Sequence, residues 1–222
     1  MNSPDFPEKS CVKDKKEVKS GHTFNDLDTG TPMIRALLID HDDSFTYNIK
    51  AWLEGEDLCD VEVCHWKSQG LQKKEIAESF DLLVFSPGPG HPLDYGNSMD
   101  LMKKFTTKIP IFGVCLGMQF MLELLGIEVC MCCPSHGKQT RVQTNQQGLF
   151  KGIESLLVGR YHSLGVKDVQ GKIQMTAWAK DGTVMGIQDA QKKLMGVQFH
   201  PESFLTEHAE PMRNHLMDWI KS

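Results

Sequence analysis

Among the 222 residues, no apolar run approaches the roughly 20 consecutive positions that a membrane-spanning helix needs. Positive charge is not in excess either. Lys and Arg number 24 against 29 Asp and Glu, a net charge of −5 with a pI near 6.0, so neither a nucleic-acid surface nor an anionic-membrane surface is favoured. The first 32 residues contain no apolar stretch of the signal-peptide kind, and Asp5, Glu8, Asp14, Glu17, Asp26 and Asp28 argue against a transit peptide. Apolar residues there are few and follow no period. Such a composition cannot offset the entropy of ordering, so residues 1–32 are expected to form an unordered extension to a single domain at 33–222. Met33 sits directly before the first expected strand and is an alternative start. Seven cysteines are an odd number, and without a secretory signal they fit a reducing cytoplasm.

What the chain does contain is a cysteine held between two glycines. The run Ile111-Phe112-Gly113-Val114-Cys115-Leu116-Gly117-Met118-Gln119 opens as a buried strand and continues as an apolar helix through Phe120, Met121, Leu122, Leu124 and Leu125. Flanking glycines let the backbone turn tightly and hold the side chain out at the sheet edge, as in the nucleophile elbow of serine hydrolases. The amides that follow open a helix, where N–H groups and the dipole favour negative charge. Alone, this segment fits an inert buried thiol equally well. A second segment changes the balance. Gly196-Val197-Gln198-Phe199-His200-Pro201-Glu202 runs as a strand into a proline turn, and offers a base and a carboxylate to orient it. A third, Ser86-Pro87-Gly88-Pro89-Gly90, follows the apolar strand at 81–85 and can present N–H groups in a fixed arc. It is not a phosphate loop, because no Gly-Lys-Ser/Thr follows.

These segments together resemble the class I glutamine amidotransferases of the Cys-His-Glu type. The resemblance is greatest to the glutaminase subunit (component II) of anthranilate synthase and aminodeoxychorismate synthase. It rests on Asp43-Ser44-Phe45-Thr46-Tyr47-Asn48, Ser86 to Gly90, Gly113 to Gln119, His136-Gly137-Lys138, Tyr161-His162-Ser163-Leu164 and Gly196 to Glu202, in that order, and covers about residues 33–222. The Asp-Ser-Phe-Thr-Tyr-Asn segment narrows the superfamily to this branch.

The resemblance implies that Cys115 attacks the carboxamide of L-glutamine, His200 moves the proton and Glu202 holds the imidazole. Backbone N–H groups near Gly88 and at Leu116 are expected to hold the oxyanion. Gly88, Pro89, Gly90, Leu116, Gln119, Ser163 and Leu164 are expected to bind glutamine. Read without the family, Ser163 is a turn hydroxyl and Gln119 a first-turn helix residue. Ammonia would pass to a chorismate-binding synthase large subunit, making anthranilate or 4-amino-4-deoxychorismate. That partner would hold the magnesium and the chorismate pocket, leaving no metal or other cofactor to this chain. Alternative readings are a glutaminase serving another acceptor, such as carbamoyl phosphate, GMP or a phenazine precursor, and a non-catalytic docking subunit. The Asp43–Asn48 segment argues against the first two acceptors, and the intact Cys115, His200 and Glu202 argue against the docking subunit.

Some positions depart from the pattern. Met118 stands where this branch often has His, Cys130, Cys132 and Cys133 are unusual, and His91 has no assigned role. With His136 the three cysteines fit no common zinc spacing. Cys130 and Cys132 are expected instead as small, half-buried strand residues.

The rest alternates between apolar strands and amphipathic helices. Strands are expected at 34–40, 61–66, 82–85, 109–114, 127–133, 138–144, 155–161, 172–179, 183–188 and 194–199. Helices are expected from a cap at Asp43 or Ser44, at 71–79, at 96–104, after the elbow, and near the end through Met212, Leu216, Trp219 and Ile220. This alternation implies an α/β fold: a doubly wound, mostly parallel sheet of flavodoxin-like architecture with flanking helices and extra short antiparallel strands. Gly88, Cys115 and His200 should then meet at the carboxyl ends of the strands.

Overall fold

A computed structural model describes residues 33–72 and 76–222; the expectations for residues 1–32, and part of the weak helix at 71–79, lie outside the described residues. Strand β1 (Ile34–Asp40) is apolar and buried from Ala36 to Ile39, where it is covered on both faces. Ala36 and Leu38 enter one core layer, Leu37 and Ile39 the other. Strands β3 (Leu82–Phe85) and β4 (Ile111–Val114) divide in the same way, with Leu82, Val84 and Phe112 opposite Leu83, Phe85 and Ile111. Helix α1 (Thr46–Glu54) and helix α5 (Ala209–Lys221) cover the first face through Ile49, Leu53, Met212 and Leu216. The short helix α2 (Ile76–Ser79), helix α3 (Gly96–Phe105) and helix α4 (Leu116–Leu124) cover the second through Ile76, Leu101, Phe105, Phe120 and Met121.

Among the described residues the strands form one nine-stranded sheet in the order β2-β1-β3-β4-β9-β8-β7-β5-β6. Strand β2 is Cys59–His65, β5 Cys130–Thr144, β6 Ser155–Gly165, β7 Gln174–Ala179, β8 Val184–Asp189 and β9 Leu194–Val197. From β2 to β9 every pair is parallel, which is the doubly wound order in which ligands gather at the strands' carboxyl ends. From β9 onward every pair is antiparallel.

The antiparallel part is larger than the sequence suggests. The two short strands expected at 127–133 and 138–144 are one strand of 15 residues, bent by register shifts between Met131 and Ser135 and between His136 and Lys138. The bends interrupt the period-two pattern, so one strand reads as two. Its partner β6 runs on to Gly165 and carries Tyr161 to Leu164 into the sheet. Cys132 is buried and Cys130 exposed, rather than both half-buried. Helix α1 also starts later than its expected cap. The Asp43 carboxylate accepts the Phe45 N–H at 2.7 Å and closes the turn before the helix, while Thr46 donates to Asp40 Oδ1 at 2.8 Å.

One buried group fixes a pH prediction. His41, just after β1, is fully buried, with Nδ1 3.1 Å from Ser86 Oγ and Nε2 2.9 Å from Ser98 Oγ. Burial lowers its pKa from 6.5 to about 3. His162 is lowered to about 4 by burial and then by the Arg160 charge. The unfolded chain binds protons that the folded chain refuses, so stability falls as pH drops below 6.5. The melting temperature should therefore fall steadily between pH 6.5 and about 4, and less steeply in His41→Gln. Equal slopes in the two proteins would contradict this assignment.

Candidate active site

The loops that follow β1, β3, β4 and β9 converge at one end of the sheet, and each brings one part of the site. Cys115 follows β4 with φ 53° and ψ −102°, a strained conformation for a residue with a Cβ. The neighbouring glycines make the turn possible through close approach. A Cβ on Gly113 would lie 2.4 Å from the Gly117 carbonyl carbon, and one on Gly117 would lie 2.2 Å from the Phe85 oxygen. The Cys115 N–H donates to Val197 O at 2.8 Å, so the elbow is tied to β9 as well as to its own strand. Met118 fills the space beside Gly196, where a Cβ would lie 2.9 Å from its Cγ; this gives the departure at Met118 a packing role.

After β9, the chain bends at Gln198 and Phe199 and brings His200 to Cys115. The expected strand at 194–199 ends at Val197 for this reason. His200 Nδ1 is 2.6 Å from Glu202 Oε1, both side chains are buried, and the ring also hydrogen-bonds Cys115. Burial opposes a charge on the ring, but the bonds to Cys115 and Glu202 outweigh it and raise the pKa from 6.5 to about 10. His200 therefore carries its proton at neutral pH, facing the sulfur. The stability from this interaction is fully present below 6.5 and is lost as pH rises through about 10. Phe45 and Tyr161 set their rings 5.0 Å from His200, both in T-shaped contact, and pack the imidazole in place.

A cavity of about 190 Å³ opens in front of the sulfur. Gly88, Pro89, Gly90, Cys115, Gln119, Ser163 and Leu164 line it, together with His136, Tyr161 and His162. Of the remaining expected site residues, His200 and Glu202 sit behind Cys115, off the cavity wall. The Leu116 side chain is buried against Gly88, where a Cβ would lie 2.7 Å from its Cδ2. The Leu116 N–H, however, opens helix α4 directly beside Cys115. Ser163 Oγ is 2.9 Å from His136 Nε2, which holds the hydroxyl across the cavity. The Pro-Gly-Pro-Gly loop is pinned from below: Tyr95 donates to Pro89 O at 2.8 Å, and a Cβ on Gly88 would meet His41. His91 caps the short turn at Pro92–Asp94 and reaches Val129 O at 2.9 Å. A larger cavity of about 420 Å³ lies at the amino ends of the parallel strands, between Met33, Phe80, Pro110 and Ile220; no cysteine or histidine lines it. Among the described residues, no three His, Cys, Asp or Glu side chains are grouped to hold a metal, and no helix is long and apolar enough to cross a membrane.

Gln198, His41 and Arg160 belong to this site's framework and were not singled out by sequence. The partners of Gln198 and His41 lie far away in the chain, and a single buried polar residue gives no periodic signal.

Comparison with known proteins agrees with this geometry. The profile of the class I glutamine amidotransferases matches residues 37–219. The chain is 39% identical over 183 residues to anthranilate synthase component 2 of Archaeoglobus fulgidus, covering 82% of this chain and 96% of that one. It is 38% identical over 189 residues to aminodeoxychorismate/anthranilate synthase component 2 of Bacillus subtilis, covering 82% and 95%. Other relatives are longer, and the chain spans 31% and 50% of two of them. A solved glutamine amidotransferase of Thermotoga maritima has the same fold, with a TM-score of 0.71 at 19% identity, over 86% of this chain and 100% of that one. With its elbow, its sheet and most of its length matched, the chain belongs to the class I glutamine amidotransferase family.

Proposed function

We propose that this chain is the glutaminase subunit of a chorismate-utilising synthase. The observation that carries the reading is the strained Cys115 beside a protonated His200 whose far nitrogen rests on buried Glu202. In this reading the Cys115 sulfur attacks the glutamine side-chain carbonyl carbon, and the carbonyl oxygen becomes an oxyanion held by the N–H groups of Gly88 and Leu116. His200 gives its proton to the departing nitrogen, which leaves as ammonia, and a γ-glutamyl thioester remains. His200 then takes a proton from water, whose oxygen attacks the thioester carbon. The sulfur is expelled and glutamate is released. Gln119, Ser163, Leu164 and the Pro-Gly-Pro-Gly loop hold the substrate. Ammonia passes to a chorismate-binding large subunit that also holds magnesium. The reaction belongs in the cytoplasm, where a thiol stays reduced.

Exposed apolar side chains support such a partner, because they stand directly beside site residues. Tyr47 lies two positions from Phe45, Phe204 two from Glu202, and Met131 is paired with Leu164 across β5 and β6. Phe204 is 92% exposed, a large ring available to a partner two positions from Glu202.

Mixing the chain with each chorismate-binding synthase, with chorismate, magnesium and glutamine, tests the reading. Anthranilate or 4-amino-4-deoxychorismate assigns the partner, and both products mean a shared subunit. No glutamine-dependent product from either, while ammonia still serves both, overturns it. A pH profile tests the assignment of His200. The alkaline limb of glutamine-dependent kcat/KM is expected as His200 loses its proton near pH 10. Glu202→Gln should draw that limb down by about one unit or more. An unmoved limb would remove Glu202 from this role.

A further inference from the structure

We propose that Gln198 is a hydrogen-bond donor to the nucleophile, aimed at Cys115 by the polar contacts that run from the Leu164 carbonyl through Gln119. Gln198 is fully buried, immediately after β9, with its Nε2 3.4 Å from Cys115 Sγ. An amide in this place could present either its N–H or its carbonyl oxygen to the sulfur, and the surrounding contacts decide between them.

The decision rests on Leu164 O, a carbonyl that can only accept, and the contacts on its other side agree with this. Arg160 Nε is 3.1 Å from His162 Nε2, and a guanidinium has no acceptor. His162 Nε2 must accept, so the proton of the neutral ring sits on Nδ1, which donates to Leu164 O at 2.9 Å. The same carbonyl lies 3.0 Å from the end of the Gln119 side chain, which must therefore turn its NH₂ group there. That NH₂ group also faces Gln198 at 3.2 Å, so the Gln198 atom on that side must be its oxygen. The Gln198 nitrogen is left facing Cys115. Turning the Gln198 amide over would set N–H against N–H and a carbonyl oxygen against the sulfur. Turning both amides would set the Gln119 oxygen against Leu164 O. Each alternative buries repulsive polar contacts, which are costly.

The arrangement matters for the chemistry because the sulfur must be an anion before attack. Ionisable groups around it are His200 with Glu202 behind it, Tyr161 and His162 on β6 with Arg160 and Asp181 beyond, and His136 across the cavity. Gln198 adds a neutral donor from the side of β9, aimed at the sulfur rather than at the substrate. It stabilises the thiolate without competing for the proton on His200.

The proposal rests on Cys115 being the nucleophile, so its test reads the thiol without glutamine or a partner. Iodoacetamide alkylation of Cys115 is followed by peptide mapping across pH in the full chain and in Gln198→Met, which removes the donor at similar volume. The variant's alkylation profile should move upward by about one pH unit, which is an about tenfold lower rate at a pH on its rising limb. A folded Gln198→Met with an unchanged profile overturns the proposal. A measurement on the unaltered protein covers the case in which the variant does not fold. The Gln198 side-chain amide resonance should titrate in step with Cys115 alkylation and stop doing so in Cys115→Ala. An amide that ignores ionisation of Cys115 also overturns the proposal. If alkylation behaves as expected but no synthase yields glutamine-dependent product, the function fails while the role of Gln198 stands.

Discussion

Replacing Cys115 with serine is expected to reduce glutamine-dependent product formation by about 10³-fold or more, with ammonia-dependent synthesis by the partner unchanged. The loss follows from the mechanism, because no other side chain in the cavity wall can form the thioester. His136, Tyr161 and Ser163 line the same cavity, but of the cavity's side chains it is Cys115 that the His200 ring hydrogen-bonds. Cys115→Gly separates lost chemistry from lost structure. The native φ of 53° is strained for cysteine and easy for glycine. The glycine variant should therefore be equally inactive yet fold, with relief of a strain of about 1–3 kcal/mol offsetting the lost bond between His200 and the thiol. Glutamine-dependent activity retained in either variant would show that the site lies elsewhere.

The second large effect is structural. Gly117→Ala is expected to destabilise the chain by about 3 kcal/mol, lowering the melting temperature by roughly 10 °C. The added Cβ would lie 2.2 Å from the Phe85 oxygen and 2.9 Å from its carbonyl carbon. That backbone cannot move aside, because β3 is paired with β1 on one side and β4 on the other. Any shift of α4 that relieved the clash would carry Cys115 away from His200, so residual activity should fall even where the variant folds. Gly96→Ala is the control. A Cβ there meets nothing within 4 Å at the start of α3, and the change should be neutral or slightly stabilising. Similar melting temperatures for the two variants would contradict the close approach at Gly117.

How much of this could be read from sequence follows from the range of the interactions. The elbow was legible because strand, glycines, cysteine and helix are contiguous, and each obeys a local rule. The His-Pro-Glu turn was legible for the same reason. The parallel half of the sheet was visible in its continuous apolar runs, which burial on both faces requires. By contrast, β5 appeared as two strands because its register shifts erase the alternation that marks a strand. The groups that aim and brace the site were not legible. Gln198 is 83 positions from Cys115, and His41 is 57 from Ser98. Nothing local distinguishes such residues from ordinary polar positions at strand ends. The cap expected at Asp43 or Ser44 shows a smaller error of the same kind. Asp43 does close a turn, but the turn serves to seat Phe45 on His200 before the helix begins.

The measurement that tests the account most directly is trapping of the acyl intermediate. The chain, together with its synthase partner and chorismate, is mixed with radiolabelled glutamine, quenched in acid during turnover and digested. Label is expected as a γ-glutamyl thioester on the peptide containing Cys115, and on no peptide in Cys115→Ser. Release of ammonia from glutamine with no label at Cys115, or with label on another residue, would contradict the account.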